Sequence, residues 1–137
     1  MVQMIFVNLP VGDLSRSRGF YEALGFRINE QFSDDTGACV VMSDAIYVML
    51  LTHPKYAQFT ALPITDERKS SSHILALSQP GRDGVDAFAA AALKAGGAEP
   101  RPAQDLGFMY SRAIADPDGH VWEPFWMDPA AVQGGAD

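Results

Sequence analysis

The pattern of apolar and polar positions predicts several short strands and two amphipathic helices. Residues 4–11 form a short apolar run, MIFVNLPV, that favours a β-strand. Asp13 then offers an N-cap, and apolar positions recur at helical spacing until Gly25, a residue typical of the position after a helix. Extended apolar segments follow at 27–32, 38–42 and 45–52. This part of the chain therefore predicts the order β-α-β-β-β.

The same order is predicted a second time further along the chain. Residues 73–78 favour a strand, and Asp83 is predicted to cap a helix that ends at Gly96. Further strands are predicted at 98–103, 108–115 and 120–126, with a turn at 116–119. The predicted fold class is α+β, with two tandem βαβββ modules in one domain. Its parts are module one at 1–52, a connection at 53–71, module two at 72–127 and a tail at 128–137.

Composition narrows the class of partner and compartment. The chain has 137 residues and is 47% hydrophobic, so it can bury a core without covalent cross-links. A net charge of −7 argues against nucleic acid and anionic membranes as partners. Cys39 is the only cysteine, which we expect to be a small buried apolar residue. A reducing, cytoplasmic location fits, and we expect residues 1–11 to form a strand rather than a signal peptide.

Strand alternation predicts which side chains share a face. In module one, the face with Phe6, Asn8 and Pro10 is predicted to continue onto Tyr47, Met49 and Leu51. In module two, His73, Leu75 and Leu77 are predicted to share a face with Val121, Glu123 and Phe125. If these faces line a cavity, it is mostly apolar and typical of a small-molecule pocket. His120 has the wrong parity to join Glu123.

Two residues are the candidates for acid-base chemistry. Glu123 is an acid among apolar residues and is costly to bury unless it is paired. It is predicted to be a catalytic or ligand-binding carboxylate, or else a structural partner of Arg112 or His73. Facing Glu123, His73 could share a proton with it near neutral pH. Asn8, Tyr110 and Arg112 are candidate ligand-binding residues, although alternation leaves the face of the last two open.

Several motifs resemble the vicinal oxygen chelate superfamily, which includes glyoxalase I, extradiol dioxygenases and bleomycin-resistance proteins. They are FVNLPVGDL at 6–14, FY at 20–21, LGF at 24–26 and DPDGHVWE at 116–123. The stretches IFVNLPV, YVMLL and GFMYSRAIADPDGHVWEPFWMDP are similar to a branch labelled predicted lactoylglutathione lyases. The resemblance implies two βαβββ modules that form a curved, partly open mixed sheet around one cavity. It also implies a homodimer.

The resemblance implies four metal-ligand positions, one on the first and one on the last strand of each module. In this sequence they are Phe6, Met49, His73 and Glu123. A phenyl ring cannot bind a metal ion, and a thioether suits Cu(I) rather than Zn, Ni or Fe(II). One imidazole and one carboxylate fall short of the three protein ligands of catalytic zinc sites. We therefore expect no full metal site and no cofactor; if an ion binds, its ligands would be His73 and Glu123.

The sequence is compatible with three functions. The first is binding of a small, mostly apolar or aromatic ligand, with contacts from Phe6, Asn8, Tyr47, Met49, Phe125, Tyr110 and Arg112. The alternative is a metal-dependent enzyme, similar to a lactoylglutathione lyase or a dioxygenase, with His73 and Glu123 as ligands. The third is an interaction module whose own side chains fill the cavity. Whether the protein is an enzyme is left open, and a glyoxalase-like lyase is the activity that the resemblance implies.

Overall fold

The computed structural model describes residues 2–131, so residues 132–137 of the predicted tail lie outside it. The chain divides into two compact units, Met1–Ser70 and Ser71–Asp137. Both units contain helices and strands, and each has its own sheet of mixed parallel and antiparallel strands. The predicted α+β class is therefore confirmed.

The first unit follows the predicted β-α-β-β-β order. The elements are β1 (Ile5–Val11), α1 (Leu14–Ala23), β2 (Arg27–Asn29), β3 (Gly37–Val41), β4 (Ile46–Thr52) and α2 (His53–Tyr56). A 3₁₀ helix at Glu30–Phe32 lies between β2 and β3. The sheet runs β1-β4-β3-β2, in which β1 and β4 are parallel and the other neighbours antiparallel.

The ends of α1 are those that the sequence predicts. The Asp13 carboxylate accepts a hydrogen bond from the Arg16 N–H at 3.0 Å, which satisfies a donor at the helix N-terminus. After the helix, Gly25 has a φ of 97°, a conformation that costs glycine little. Phe20 and Tyr21 are buried, so this side of α1 packs on the sheet.

The predicted extended segment at 27–32 is correct for its first three residues and wrong for its last three. Only Arg27–Asn29 is a strand, and the 3₁₀ helix follows at once. The Asn29 side chain causes the change, because its oxygen accepts a hydrogen bond from the Gln31 N–H at 3.1 Å. The Ser33 hydroxyl donates to the Asn29 carbonyl at 2.6 Å and closes the turn.

The second unit repeats the arrangement with a more broken set of strands. The elements are β5 (Ile74–Ser78), α3 (Arg82–Lys94), β6 (Gln104–Asp105), β7 (Met109–Ser111), β8 (Ile114–Ala115) and β9 (Val121–Met127). The sheet runs β5-β9-β7-β6, β8 pairs with β9, and β5 and β9 are parallel.

Three local predictions in this unit are wrong or incomplete. Gly81 rather than Asp83 is the N-cap of α3, and Asp83 lies in the first turn. The predicted strand at 98–103, which carries two prolines, is reduced to one bridge between Ala98 and Ala115. The predicted strand at 108–115 is split into β7 and β8.

The predicted turn at 116–119 is confirmed and is held by one carboxylate. Asp116 is buried, and its Oδ1 accepts from the backbone N–H of Asp118 and of His120, both at 2.9 Å. Gly119 adopts a φ of 92°, which non-glycine residues rarely do. The turn therefore fixes where β9 begins, and with it the face to which each β9 side chain points.

In each sheet one face packs against a long helix, α1 in the first sheet and α3 in the second. In the first sheet the helix face carries the buried residues Leu9, Val11, Val40, Val48 and Leu50. The opposite face, here called the first open face, carries Phe6, Asn8, Cys39, Tyr47 and Met49. In the second sheet the helix face carries Leu75, Trp122 and Pro124. The second open face carries Ile74, Ala76, Ser111, Glu123 and Phe125.

Candidate functional site

Aromatic and thioether side chains line up on the first open face. Strand register pairs Phe6 with Tyr47 and Asn8 with Met49, so the shared face predicted for these four residues is confirmed. The Phe6 and Tyr47 rings stack with centroids 4.6 Å apart and planes 9° apart. The Tyr47 hydroxyl donates to the Asp44 carbonyl at 3.1 Å, which holds the ring in place. A flat aromatic surface therefore stands at one end of the face.

A pocket of about 500 Å³ opens beside this surface. It lies within the first unit, and Phe6 remains 48% exposed and Phe32 64% exposed at its wall. Its volume is in the usual range for small-molecule sites. The lining residues are Phe6, Gln31, Phe32, Ser33, Asp34, Cys39 and Met49.

The polar groups of this pocket are mostly engaged in local structure. The Thr36 hydroxyl and N–H and the Gly37 N–H donate to Asp34 Oδ1 at 2.7 to 3.1 Å, and they lower the pKa of that carboxyl. Burial raises the pKa of the Cys39 thiol, so that it stays neutral near pH 7. As predicted, Cys39 is a small buried residue. The pocket therefore offers mainly aromatic and thioether surface.

The shared face predicted for His73 and Glu123 is wrong. The register of β5 and β9 pairs Ala76 with Glu123 and Leu75 with Trp122. Ala76 and Glu123 therefore lie on the second open face, whereas Leu75 lies on the helix face. His73 shares the parity of Leu75, and its ring stacks on that of His120, which shares the parity of Trp122. The two proposed catalytic side chains thus project from opposite faces of the sheet.

The partner of Glu123 is an arginine that sequence reasoning did not select. Arg101 Nη2 lies 3.1 Å from Glu123 Oε2 and 3.4 Å from the Ser111 hydroxyl. Its Nη1 donates to the Pro102 carbonyl at 3.0 Å. The Arg101 and Glu123 side chains are 33% and 24% exposed, so the pair is partly withdrawn from water. Glu123 was predicted to pair with Arg112 or His73 if its role is structural; the partner is Arg101.

Tyr110 and Arg112, both candidates for ligand binding, are held by acids near α3. The Tyr110 hydroxyl donates to Asp86 at 2.7 Å, and Tyr110 pairs with Trp126 in the strand register. Arg112 donates to both oxygens of Glu99 at 2.9 Å and to Asp86 at 3.1 Å. These contacts raise the pKa of Arg112, first through Glu99. The side chains already have partners that account for their positions.

His73 and His120 form a close pair in the second unit. Their ring centroids are 5.3 Å apart with planes 24° apart, and each brings a ring nitrogen within 4.8 Å of the other. His120 is 1% exposed, and the Ser72 hydroxyl lies 2.9 Å from His73 Nδ1. Two imidazoles at this separation supply two of the ligands that a divalent ion would need, since imidazole suits Zn, Ni and Cu.

The four positions implied by the resemblance do not fit a divalent metal. Phe6 and Met49 bring a stacked ring and a thioether. His73 projects from the helix face, and Glu123 projects from the second open face, where it pairs with Arg101. His73 and Glu123, the expected ligands if an ion binds, therefore cannot converge on one ion.

Comparisons with known proteins agree with the fold. Residues 3–43 match the family described as Bleomycin resistance protein-like N-terminal. No curated protein sequence matches the chain. Among solved structures, a hypothetical protein from S. aureus has a TM-score of 0.77 and 25% identity, over 92% of this chain and 95% of that chain.

Two further structures extend the likeness. A glyoxalase/bleomycin resistance protein/dioxygenase family enzyme from Burkholderia phytofirmans has a TM-score of 0.74 and 17% identity, over 92% of this chain and 99% of that chain. A fosfomycin resistance protein from Mesorhizobium loti has a TM-score of 0.71 and 16% identity, over 97% and 98% of the two chains. The α+β fold, with its two mixed sheets, is consistent with the vicinal oxygen chelate fold.

The remaining expectations concern partners and location. Within residues 2–131, no helix is both long and apolar enough to span a bilayer. The shared cavity, the homodimer and the cytoplasmic location stay predictions.

Proposed function

We propose that this protein binds a small, mostly apolar or aromatic molecule on the first open face, and that binding needs no divalent metal. The observation that carries the proposal is the stacked pair of Phe6 and Tyr47 beside a pocket of about 500 Å³. An aromatic ligand placed against such a ring gains about 0.5–1.5 kcal/mol beyond the burial of its area.

The thioether of Met49 supports the same class of ligand. Met49 lines the pocket and is the strand partner of the buried Cys39. A thioether is polarisable and makes favourable contacts with aromatic rings. The Asp34 carboxylate is held by its own turn, so it anchors the wall of the pocket rather than an incoming cation. A ligand in this pocket would therefore meet flat and polarisable surface.

Calorimetric titration of the chelator-treated protein with 2-naphthol, indole and p-cresol tests this proposal. We expect at least one of these probes to bind, and Phe6→Ala to weaken its binding about tenfold, the loss of one ring contact. The matched control is Phe108→Ala, because Phe108 is 47% exposed and Phe6 is 48% exposed. Phe108 does not line the pocket.

Two results would contradict the proposal. One is that none of the three probes binds. The other is that Phe6→Ala and Phe108→Ala bind the probe equally well.

A metal-dependent function has one observation in its favour, the approach of His73 to His120. Its ion would bind at these two residues rather than at Glu123. Metal analysis of protein purified without chelator separates the two functions. A stoichiometric divalent ion that His120→Asn removes and Glu123→Gln retains would favour the metal-dependent protein and disfavour the metal-free one.

A further inference from the structure

A second pocket of about 350 Å³ lies in the first unit, and none of its aromatic residues was selected from the sequence. It is lined by Asn8, Leu51, Tyr56, Phe59 and Thr60. Its volume alone would hold a single ring with its substituents. Its position relative to the pocket beside Phe6 bears on the shape of the ligand.

One lining residue of each pocket belongs to the same pair of strand neighbours. Met49 lines the first pocket and Asn8 lines the second, and the two residues are partners in the parallel register of β1 and β4. Neighbouring strands are about 4.8 Å apart, and same-face residues along a strand are about 7 Å apart. The pockets are therefore separated by about one side chain, a distance that one molecule can span.

The aromatic wall of the second pocket is built by the end of β4. Thr52 Oγ1 accepts from the Lys55 N–H at 3.4 Å and so caps α2 directly after the strand. The Phe59 N–H donates to the Tyr56 carbonyl at 2.9 Å and continues the turn. The Lys55 ammonium lies 5.6 Å from the centre of the Phe59 ring. The short helix therefore holds Tyr56 and Phe59 near the strand end that carries Leu51.

Asn8 is the polar group at the junction of the two pockets. It is exposed, and its amide offers two donors and one acceptor oxygen. The surfaces on either side of it are mainly apolar, with Phe6 and Met49 in one pocket and Leu51 and Phe59 in the other. From one pocket to the other, the protein therefore presents an apolar surface, then a hydrogen-bonding group, and then a second apolar surface.

We infer that the ligand has two aromatic or apolar parts joined by a hydrogen-bonding group such as an amide. One part occupies the pocket beside Phe6, the joining group bonds to Asn8, and the other part contacts Tyr56 and Phe59. The inference rests on the proposed function for the first pocket. It adds a second subsite to the protein, and it specifies the shape of the ligand and the position of its polar group.

Three probes of related shape test the second subsite. Benzanilide has two rings joined by an amide, trans-stilbene has two rings without the amide, and benzamide has one ring with it. We expect the chelator-treated protein to bind benzanilide about tenfold more tightly than either of the others, which is the worth of one hydrogen bond or one ring contact. Dissociation constants come from calorimetric titration.

Two variants test the contribution of the ring contact and that of the hydrogen bond separately. Phe59→Ala should reduce benzanilide binding to the level of benzamide and leave benzamide unchanged. Asn8→Leu should remove the preference for benzanilide over trans-stilbene. The control is Leu62→Ala, a residue of the same loop that is 76% exposed and does not line the pocket. Phe59 is itself 69% exposed, so its replacement leaves the buried core intact.

The outcomes that overturn this inference differ from those that overturn the proposed function. Equal affinity for benzanilide and benzamide, with no effect of Phe59→Ala, would exclude the second subsite even if 2-naphthol binds beside Phe6. An unchanged preference in Asn8→Leu would exclude the joining role of Asn8. Failure of Phe6→Ala to weaken any probe would instead remove the proposed function on which the inference rests.

Discussion

Glu123 lies directly beside Ala76 in the parallel pairing of β9 with β5, and this one register decides the chemistry of the second unit. Because side chains alternate along a strand, Glu123 projects from the face opposite to that of Leu75 and Trp122. The carboxylate therefore meets Arg101 at 3.1 Å, while His73 stacks on His120. Glu123 and His73, which the sequence predicts to share a face, therefore belong to two separate groups of side chains.

Double-mutant cycles should confirm this separation. We expect Glu123 to couple to Arg101 by about 0.5–1 kcal/mol in the free energy of unfolding, since both side chains are partly exposed. Glu123 and His73 should show no coupling beyond experimental error. The measurement is urea unfolding of Glu123→Gln, Arg101→Met and His73→Asn, singly and in pairs. A coupling of His73 to Glu123 larger than that of Arg101 would mean that the register is wrong.

Arg112 should prove important for stability rather than for binding. Its guanidinium makes three hydrogen bonds to Glu99 and Asp86, and its side chain is 20% exposed. We expect Arg112→Met to lower the free energy of unfolding by about 2 kcal/mol, because it leaves acids without their partner. Arg27→Met, a replacement of an exposed arginine on β2, should cost less than about 0.5 kcal/mol.

A binding measurement on Arg112→Met separates the effect of Arg112 on stability from any effect on ligand contact. Calorimetric titration with 2-naphthol should give the same affinity for Arg112→Met as for the unmodified protein at a temperature where both are folded. A selective loss of affinity in Arg112→Met would instead show that Arg112 takes part in ligand binding.

The pairing of Asp105 with Arg82 should appear in the acid dependence of stability. Arg82 donates two hydrogen bonds to Asp105 and lowers the pKa of that carboxyl from 3.8 to about 2. A carboxyl with a depressed folded pKa adds stability above its unfolded pKa and loses it as the pH falls toward the folded value. We expect Asp105→Asn to lower the urea midpoint at about pH 6, and this difference to shrink between about pH 4 and pH 2.

Asp35→Asn is the control for this experiment, because Asp35 is exposed and lies in a loop of the first unit. It should leave the urea midpoint nearly unchanged over the same range. A difference between Asp105→Asn and the unmodified protein that stays constant down to about pH 2 would rule out the ion pair as its source.

Cys39 should react slowly with thiol reagents in the folded protein. It is 2% exposed, and burial raises the pKa of its thiol, so little thiolate is present near neutral pH. We expect its reaction with 5,5′-dithiobis(2-nitrobenzoic acid) at about pH 8 to be at least about 100-fold slower than in urea. A bound aromatic probe should slow it further, because Cys39 lines the pocket beside Phe6. A rate equal to that in urea would show that the pocket wall is open.

The fold was predictable to the extent that local signals act alone. The cap at Asp13, the positive φ of Gly25 and the turn that ends at Gly119 depend on residues close in sequence, and each was identified correctly. The first open face also followed, because β1 and β4 alternate regularly through Phe6 and Met49. Local chemistry and simple alternation were sufficient there.

The second unit depends on a strand register that local sequence patterns do not determine. A shift of one residue in register moves every side chain of a strand to the other face. The pattern HILALS is apolar on both faces, so alternation alone does not show that Ile74 rather than His73 lies on the open face. Arg101 lies in a loop between two prolines, where no periodicity indicates its direction, so its pairing with Glu123 could not be predicted.

The most direct test of metal-free binding on the first open face uses the methionine methyl groups. The chain has six methionines; Met49 lies in the pocket beside Phe6, and Met109 and Met127 are partners in the second sheet. Protein labelled with ¹³C at the methionine methyls is titrated with 2-naphthol in excess chelator. The account predicts a ring-current shift of the Met49 methyl, with Met109 and Met127 unchanged. Shifts confined to Met109 and Met127, or a Met49 shift that appears only after Zn²⁺ or Ni²⁺ is added, would contradict it.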